Sequence, residues 1–95
     1  MYLSFHKLKE ISESNFRKSI LVVLGAINGN QVHFSVRNES GEWNAARFIQ
    51  EALADSGFGG GHQDMAGGLI PDARLFDKDQ LYAKMRTLLN LVENS

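Results

Sequence analysis

The 95-residue chain contains no cysteine, a single proline and a single tryptophan. Without cysteine it can form no disulfide, no thiolate metal site and no thiol nucleophile. Its charges are nearly balanced, with a formal net charge of -1 at pH 7, which argues against a nucleic-acid binder that relies on a broad basic surface. Any binding of a phosphate by this chain must therefore be local.

The chain also lacks a long apolar run. No segment approaches the roughly 20 apolar residues of a membrane helix, and the N-terminal segment MYLSFHKLKE lacks the charged-then-apolar order of a signal peptide. We therefore expect a cytoplasmic protein without a membrane partner. The hydrophobic share of 43% and the charged share of 22% are typical of globular proteins. Since this length supplies one hydrophobic core, residues 1–95 are predicted to form a single domain.

Strands are predicted through the first half of the chain. Residues 2–8 alternate loosely and predict a strand, followed by an irregular or helical link. Residues 20–27 form a continuous apolar run, which predicts a strand covered on both faces. Asn28-Gly29 then favours a tight hairpin turn. The strand predicted over residues 31–37 alternates strictly, with Val32, Phe34 and Val36 on one face and His33, Ser35 and Arg37 on the other.

Two helices are predicted in the second half. The first spans residues 44–55, with Asn44 as its N-cap and Gly57 as a left-handed residue at its end. The second begins at Asp77, which can act as its N-cap, and Gln80, three residues later, can complete a capping box. The buried stripe of this helix comprises Leu81, Met85, Leu88 and Val92. A short apolar piece over residues 65–70 precedes it. The predicted architecture is α/β (α+β), a small mixed β-sheet of about four or five strands with helices packed on it.

Six of the nine glycines lie between Gly57 and Gly68, within the stretch GFGGGHQDMAGGLIP. Consecutive glycines can present several backbone N–H groups to one anion, and His62 adds a hydrogen-bond donor or a charge at the same place. Taken alone, such a stretch is more often a flexible connector. It is also neither a Walker loop nor a dinucleotide-binding fingerprint.

Two motifs resemble a known family. FGGGHQDMAGG resembles the Gly-Gly-Gly-His-x-x-(Ala or Met)-Ala-Gly-Gly motif of the DHH-associated C-terminal domain (DHHA1) of DHH-family phosphoesterases, and VHFSVRNES resembles the S-x-R strand that precedes it by about one helix. The likeness covers roughly residues 19–71. Such enzymes include oligoribonucleases that also dephosphorylate adenosine bisphosphate, RecJ-like exonucleases, cyclic-dinucleotide phosphodiesterases and exopolyphosphatase-related proteins. The related domain of alanyl-tRNA synthetases typically has arginine in place of His62, so the histidine favours the phosphoesterases.

The resemblance implies a substrate-binding domain for a nucleotide or a short single-stranded nucleic acid. The phosphate contacts that it implies are Ser35, Arg37, Gly59, Gly60, Gly61 and His62, with support from Ala66, Gly67 and Gly68. In the family, hydrolysis takes place in a separate N-terminal DHH catalytic domain that binds Mn or Mg. This chain has no DHH triplet, so we expect it to lack that domain, to hold no catalytic residue, metal or cofactor of its own, and to be inactive alone.

Several alternatives stay open at this stage. The chain could instead be a stand-alone nucleotide- or RNA-binding module without hydrolysis. Ser35 is as readily a plain polar strand residue as a phosphate contact, and Asp64 is expected to order its own loop because a carboxylate repels phosphate. Trp43 is expected to anchor the first helix rather than to stack on a base. The sequence does not specify which phosphoester is the substrate. It also leaves the oligomeric state open, with a homodimer among the alternatives.

Overall fold

A computed structural model describes the backbone of residues 1–12, 15–40 and 43–90, and the side chains of residues 1–6, 19–39 and 43–90. It contains the strands β1 (Tyr2–Ser12), β2 (Asn15–Asn28), β3 (Gln31–Ser40), β4 (Phe58–Gly61) and β5 (Met65–Ile70), and the helices α1 (Ala45–Ala52) and α2 (Lys78–Leu88). A 3-10 turn, Ala73–Leu75, leads into α2. Within the described ranges, neither helix has the length and apolarity needed to cross a membrane.

The five strands form one sheet in the order β1-β2-β3-β5-β4, and every neighbouring pair is antiparallel. The predicted α/β architecture is thus confirmed. The turn between β2 and β3 consists of Gly29 and Asn30, since Asn28 is paired with Gln31. Gly29 has a φ of 62°, as the first central residue of a type II′ turn requires. The predicted pair Asn28-Gly29 is therefore one residue too early.

Both helices cover the same face of the sheet. The core between them is formed by Phe5, Leu21, Val23, Val32, Phe34, Val36 and Ile70 of the strands and by Ala45, Phe48, Ile49, Ala52, Leu53, Leu81, Met85 and Leu89 of the helical segments. Aromatic rings join the layers, because Phe5 lies 6.4 Å from Phe48 and 5.8 Å from Tyr82 between ring centroids. We call this side of the sheet the covered face.

The opposite side, which we call the open face, keeps apolar side chains exposed. The prediction that residues 20–27 are covered on both faces is wrong. Leu21 and Val23 are fully buried, whereas Leu24 on the other side is 51% exposed. A continuous apolar run cannot by itself show whether a second layer exists, and here both helices lie on one side.

The first strand also differs from the prediction. The irregular or helical link expected after residue 8 is wrong, because β1 continues to Ser12 and pairs with β2 along this length. When apolar and polar residues alternate only loosely and no glycine or proline interrupts them, the sequence does not define where a strand ends. Here the end of β1 is determined by its pairing with β2.

Both predicted N-caps are present. The Asn44 side chain accepts a hydrogen bond from the Arg47 N–H at 3.1 Å, and Asp77 accepts from the N–H groups of Asp79 and Gln80 at 3.0 and 3.1 Å. These bonds satisfy donors that a helix N-terminus leaves free. Of the stripe predicted for α2, Val92 lies outside the described residues.

The predicted role of Gly57 is wrong. The helix ends at Ala52 with Leu53 as its C-cap, and the φ of Gly57 is not positive. A Cβ on Gly57 would lie 2.0 Å from the carbonyl oxygen of Leu69. Glycine is therefore needed here for the close approach of two backbone segments rather than for a left-handed cap.

Candidate functional site

The glycine-rich stretch is a β-hairpin and not a loose loop. Its three consecutive glycines form most of β4, where Gly59 is paired with Gly68 and Gly60 with Gly67 of β5. Consecutive strand residues direct their N–H groups to alternate edges. The N–H groups of Gly59, Gly60 and Gly61 therefore do not converge on one point as in the backbone nest that the sequence suggested. β4 is an edge strand, so one side of its backbone has no neighbouring strand among the described residues.

Three carbonyl groups attach the tip of this hairpin to the rest of the domain. The carbonyls of His62 and Gln63 accept from the N–H groups of Ala46 and Ala45 at 3.2 and 2.9 Å, and that of Asp64 accepts from Asn38 at 2.8 Å. The first donors of α1 are thus satisfied within the chain. Its N-terminus is consequently not a free anion site.

The glycines of the hairpin fall into two groups. Gly59 and Gly68 face α1, where an added Cβ would lie 2.7 Å from Ile49 Cγ2 and 2.6 Å from Leu53 Cδ1, respectively. At Gly60 and Gly67 the nearest atoms to an added Cβ are 3.7 and 3.4 Å away. Packing therefore excludes a side chain from the first pair but not from the second.

The register places Gly60 and Gly67 beside Ser35 on the open face. Ser35 of β3 is paired with Gly67 of β5, which is paired with Gly60 of β4. The next pair along the same face consists of Arg37 and Met65. Ser35 and Arg37 thus border a strip of bare backbone, which we call the glycine strip (Gly60 and Gly67).

Arg37 is exposed and has no ion-pair or hydrogen-bond partner among the described residues. It lines a shallow pocket of about 330 Å³, whose walls are formed by Tyr2, Val22, Leu24, Ser35, Arg37, Glu39 and Met65. A guanidinium group offers a planar fork of donors that matches phosphate. The pocket is thus able to take an anion at one end.

His62 lies at the tip of the hairpin, beyond Met65 as seen from Arg37. Its N–H donates to the carbonyl of Met65 at 2.7 Å, and Met65 is paired with Arg37. The backbones of His62 and Arg37 are therefore about two strand spacings, or roughly 10 Å, apart. The His62 side chain is exposed, and Met65 lies between the two backbones.

The family model of the DHHA1 domain matches residues 6–94, which include every described strand and helix at least in part. The chain belongs to the DHHA1 family. This domain is an accessory, C-terminal domain of DHH-family phosphoesterases. Searches of curated proteins and of solved structures found no match.

The DHHA1 fold separates the residues that the sequence had grouped. It brings Ser35, Arg37, Gly60 and Gly67 onto the open face. Gly68 and Ala66 pack instead toward the core, and Gly61, with a φ of 143°, shapes the end of β4. Trp43 is half-buried against the core, so it occupies the position of an anchor.

Besides Ser35 and Arg37, the pocket has two polar side chains that were not singled out from the sequence, Tyr2 and Glu39. Glu39 follows Arg37 by two positions in an alternating strand, so this spacing could have placed it on the same face. Tyr2 could not have been found in this way, because only the pairing of β1 with β2 brings it opposite Leu24.

A metal centre requires several His, Asp or Glu side chains close together. Among the described residues of the DHHA1 domain, no three His, Asp or Glu side chains are grouped so that they could bind a metal ion.

Proposed function

We propose that this DHHA1 domain is the substrate-binding part of a DHH-family phosphoesterase and holds the phosphate of a nucleotide or a short single-stranded oligonucleotide. The observation that carries the proposal is the position of Arg37. In a domain of this family, Arg37 is exposed on the open face and lies two positions along β3 from Ser35, which is paired with Gly67 of the glycine strip. A phosphate can approach such a strip closely.

Each predicted residue has a role in this proposal. Arg37 binds the phosphate oxygens through charge-assisted hydrogen bonds, and the Ser35 hydroxyl donates one more. Of Gly59, Gly60 and Gly61 in the edge strand β4, those whose backbone N–H groups point away from β5 donate to the phosphate. His62 donates from the hairpin tip. Ala66 and Gly68 hold the hairpin against α1, whereas Gly67 leaves room for the ligand.

The hydrolytic step belongs to a DHH catalytic domain in this proposal. Mn or Mg bound there would supply the activated water and stabilise negative charge. The described residues of this chain do not form a ligand set for such an ion. The contribution of this chain is to fix the phosphate in position, and we expect the chain alone to be inactive.

The direct test is a titration of the chain with adenosine 3′,5′-bisphosphate, followed through its backbone amide signals by NMR. We expect the signals of Ser35, Arg37 and the three glycines of β4 to shift. Arg37→Ala should weaken binding about tenfold to hundredfold, because it removes charge-assisted hydrogen bonds.

Arg47→Ala is the matched control. Arg47 is also exposed, lies on α1 and pairs with Glu51 at 3.3 Å, so its loss should leave binding unchanged. The proposal fails if no amide signal shifts at millimolar ligand, or if Arg47→Ala weakens binding as much as Arg37→Ala.

The alternative function is a stand-alone module that binds a nucleotide or RNA without hydrolysis. The two functions can be distinguished by measuring phosphoester hydrolysis, in the presence of Mn, by this domain joined to a DHH catalytic domain. In the phosphoesterase, Arg37→Ala and His62→Ala lower the rate of hydrolysis. In the stand-alone module, the joined protein gives no hydrolysis that depends on these residues. The reading frame upstream of Met1 is a second discriminator.

A further inference from the structure

The pocket beside Arg37 extends away from the glycine strip toward β1. At that end, Tyr2 is 65% exposed and makes no ring contact within the described part of the chain. Leu24, paired with Tyr2, and Met65 complete an apolar wall. The pocket therefore combines a free aromatic ring at one end with a free guanidinium at the other.

The spacing between these two ends follows from the register. Tyr2 is paired with Leu24, Leu24 with Ser35, and Arg37 lies two residues beyond Ser35 on the same face. Tyr2 and Arg37 are thus on strands about two spacings, or roughly 10 Å, apart. Long side chains from both positions line the same pocket. This is enough room for a base, a sugar and one phosphate in a row.

Glu39 adds a second, opposite charge to the same pocket. It is exposed and has no partner among the described residues. Its carboxylate can accept hydrogen bonds from sugar hydroxyls or from an amino group of a base. It would repel a second or third phosphate placed beside the first.

We propose that this pocket is a nucleoside site, in which Tyr2 stacks on the base and Glu39 accepts from the sugar or base of a nucleotide whose phosphate is bound by Arg37. The inference rests on the proposed function and narrows its substrate class. It makes Tyr2 and Glu39 specificity-determining residues that favour a nucleotide over inorganic polyphosphate.

The charges in the pocket favour this occupant over an apolar protein surface. Covering the open face with such a surface would desolvate Arg37 and Glu39 without giving either a partner, which is costly. A nucleotide offers a base to the apolar wall, a phosphate to Arg37 and donors to Glu39. Stacking on an aromatic ring does not depend on base identity.

The test compares adenosine 5′-monophosphate with ribose 5-phosphate, which lacks the base, in titrations of the chain by calorimetry. Tyr2→Ala should weaken binding of the monophosphate on the order of tenfold, because it removes the stacking contact. It should leave ribose 5-phosphate unchanged. Tyr2→Phe keeps the ring and should bind both ligands as the original chain does.

Ile27→Ala is the matched control, since Ile27 is similarly exposed but lies outside the pocket. A second arm uses inorganic tripolyphosphate, whose binding Glu39→Gln should strengthen while that of the monophosphate weakens. The inference is overturned if Tyr2→Ala affects both sugar phosphates equally or affects neither. Arg37→Ala tests the proposed function separately from the nucleoside site. If this variant binds ribose 5-phosphate as tightly as the original chain does, phosphate binding by Arg37, and with it the proposed function, fails.

Discussion

The two faces of this sheet are built from the same strands but differ in what they require of each residue. On the covered face, Leu21 and Val36 are buried under the helices, whereas Leu24 and Arg37, on the same two strands, are exposed. Mutations on the covered face should therefore change the stability of the fold. Those on the open face should change binding and leave stability almost intact.

The glycines of the hairpin repeat this difference within ten residues. Gly59 and Gly68 leave space for Ile49 and Leu53, which pack directly on them. Gly60 and Gly67, on the other side of the same two strands, have room for a side chain and lack one. A single glycine-rich motif thus combines a packing requirement with an opening on the open face.

The largest effect should come from a leucine pair on β2. Leu21→Ala removes a fully buried side chain and should lower the free energy of unfolding by about 3 kcal/mol, through lost burial and the cavity left behind. Leu24→Ala, on the open face, should change it by less than about 1 kcal/mol. Urea denaturation of both variants measures the difference. Equal losses would show that the open face is covered in solution.

The second effect separates the two groups of glycines. In Gly68→Ala the new methyl group would lie 2.6 Å from Leu53 Cδ1 and 2.8 Å from Ile49 Cγ1, and such overpacking should cost about 2 kcal/mol. Gly67→Ala meets no atom closer than 3.4 Å and should stay within about 1 kcal/mol of the original chain.

The same two variants should behave differently in a nucleotide titration. The methyl group of Gly67→Ala would project into the glycine strip, so binding of adenosine 5′-monophosphate should weaken although the fold is retained. For Gly68→Ala, the affinity of the folded fraction should be unchanged. A Gly67→Ala variant that binds normally would remove the strip from the proposed site.

The sequence was sufficient to predict features that depend on local chemistry. The alternation of β3 placed Ser35 and Arg37 on one face correctly, because period two is a direct consequence of strand geometry. The caps Asn44 and Asp77 were found for a similar reason, since their bonds reach only two or three residues along the chain.

Features set by long-range packing could not be predicted in this way. The glycines of β4 have low strand propensity, and the strand forms because β5 pairs with it and α1 packs on its bare backbone. Likewise, Tyr2 enters the pocket only through the register of β1 with β2. Contacts between distant segments of the chain leave no spacing pattern in the sequence.

The third prediction concerns a substitution that destabilises helix α2 without changing a residue of the sheet. Asp77→Ala removes the acceptor of two hydrogen bonds at the start of α2 and should lower the free energy of unfolding by about 1 kcal/mol. Asp77→Asn retains an acceptor and should lose less. Both variants should bind adenosine 5′-monophosphate normally. A loss of affinity would show that the two faces are coupled through α2.

The smallest effect should come from a charge pair that belongs to neither face. Side-chain hydrogen bonds from Arg74, followed by the bond from its backbone N–H, lower the pKa of Asp72 below its ordinary value of 3.8. Because the folded pKa is the lower one, the pair stabilises the fold above pH 3.8, and this contribution is lost as the pH falls through the lowered value. The pair is solvent-exposed, so the contribution should be small and weakened further by salt. Denaturation of the original chain and of Asp72→Asn should therefore differ slightly at neutral pH and converge in acid. A difference that persists below the folded pKa would have to come from the 3-10 turn that Asp72 caps, and not from its charge.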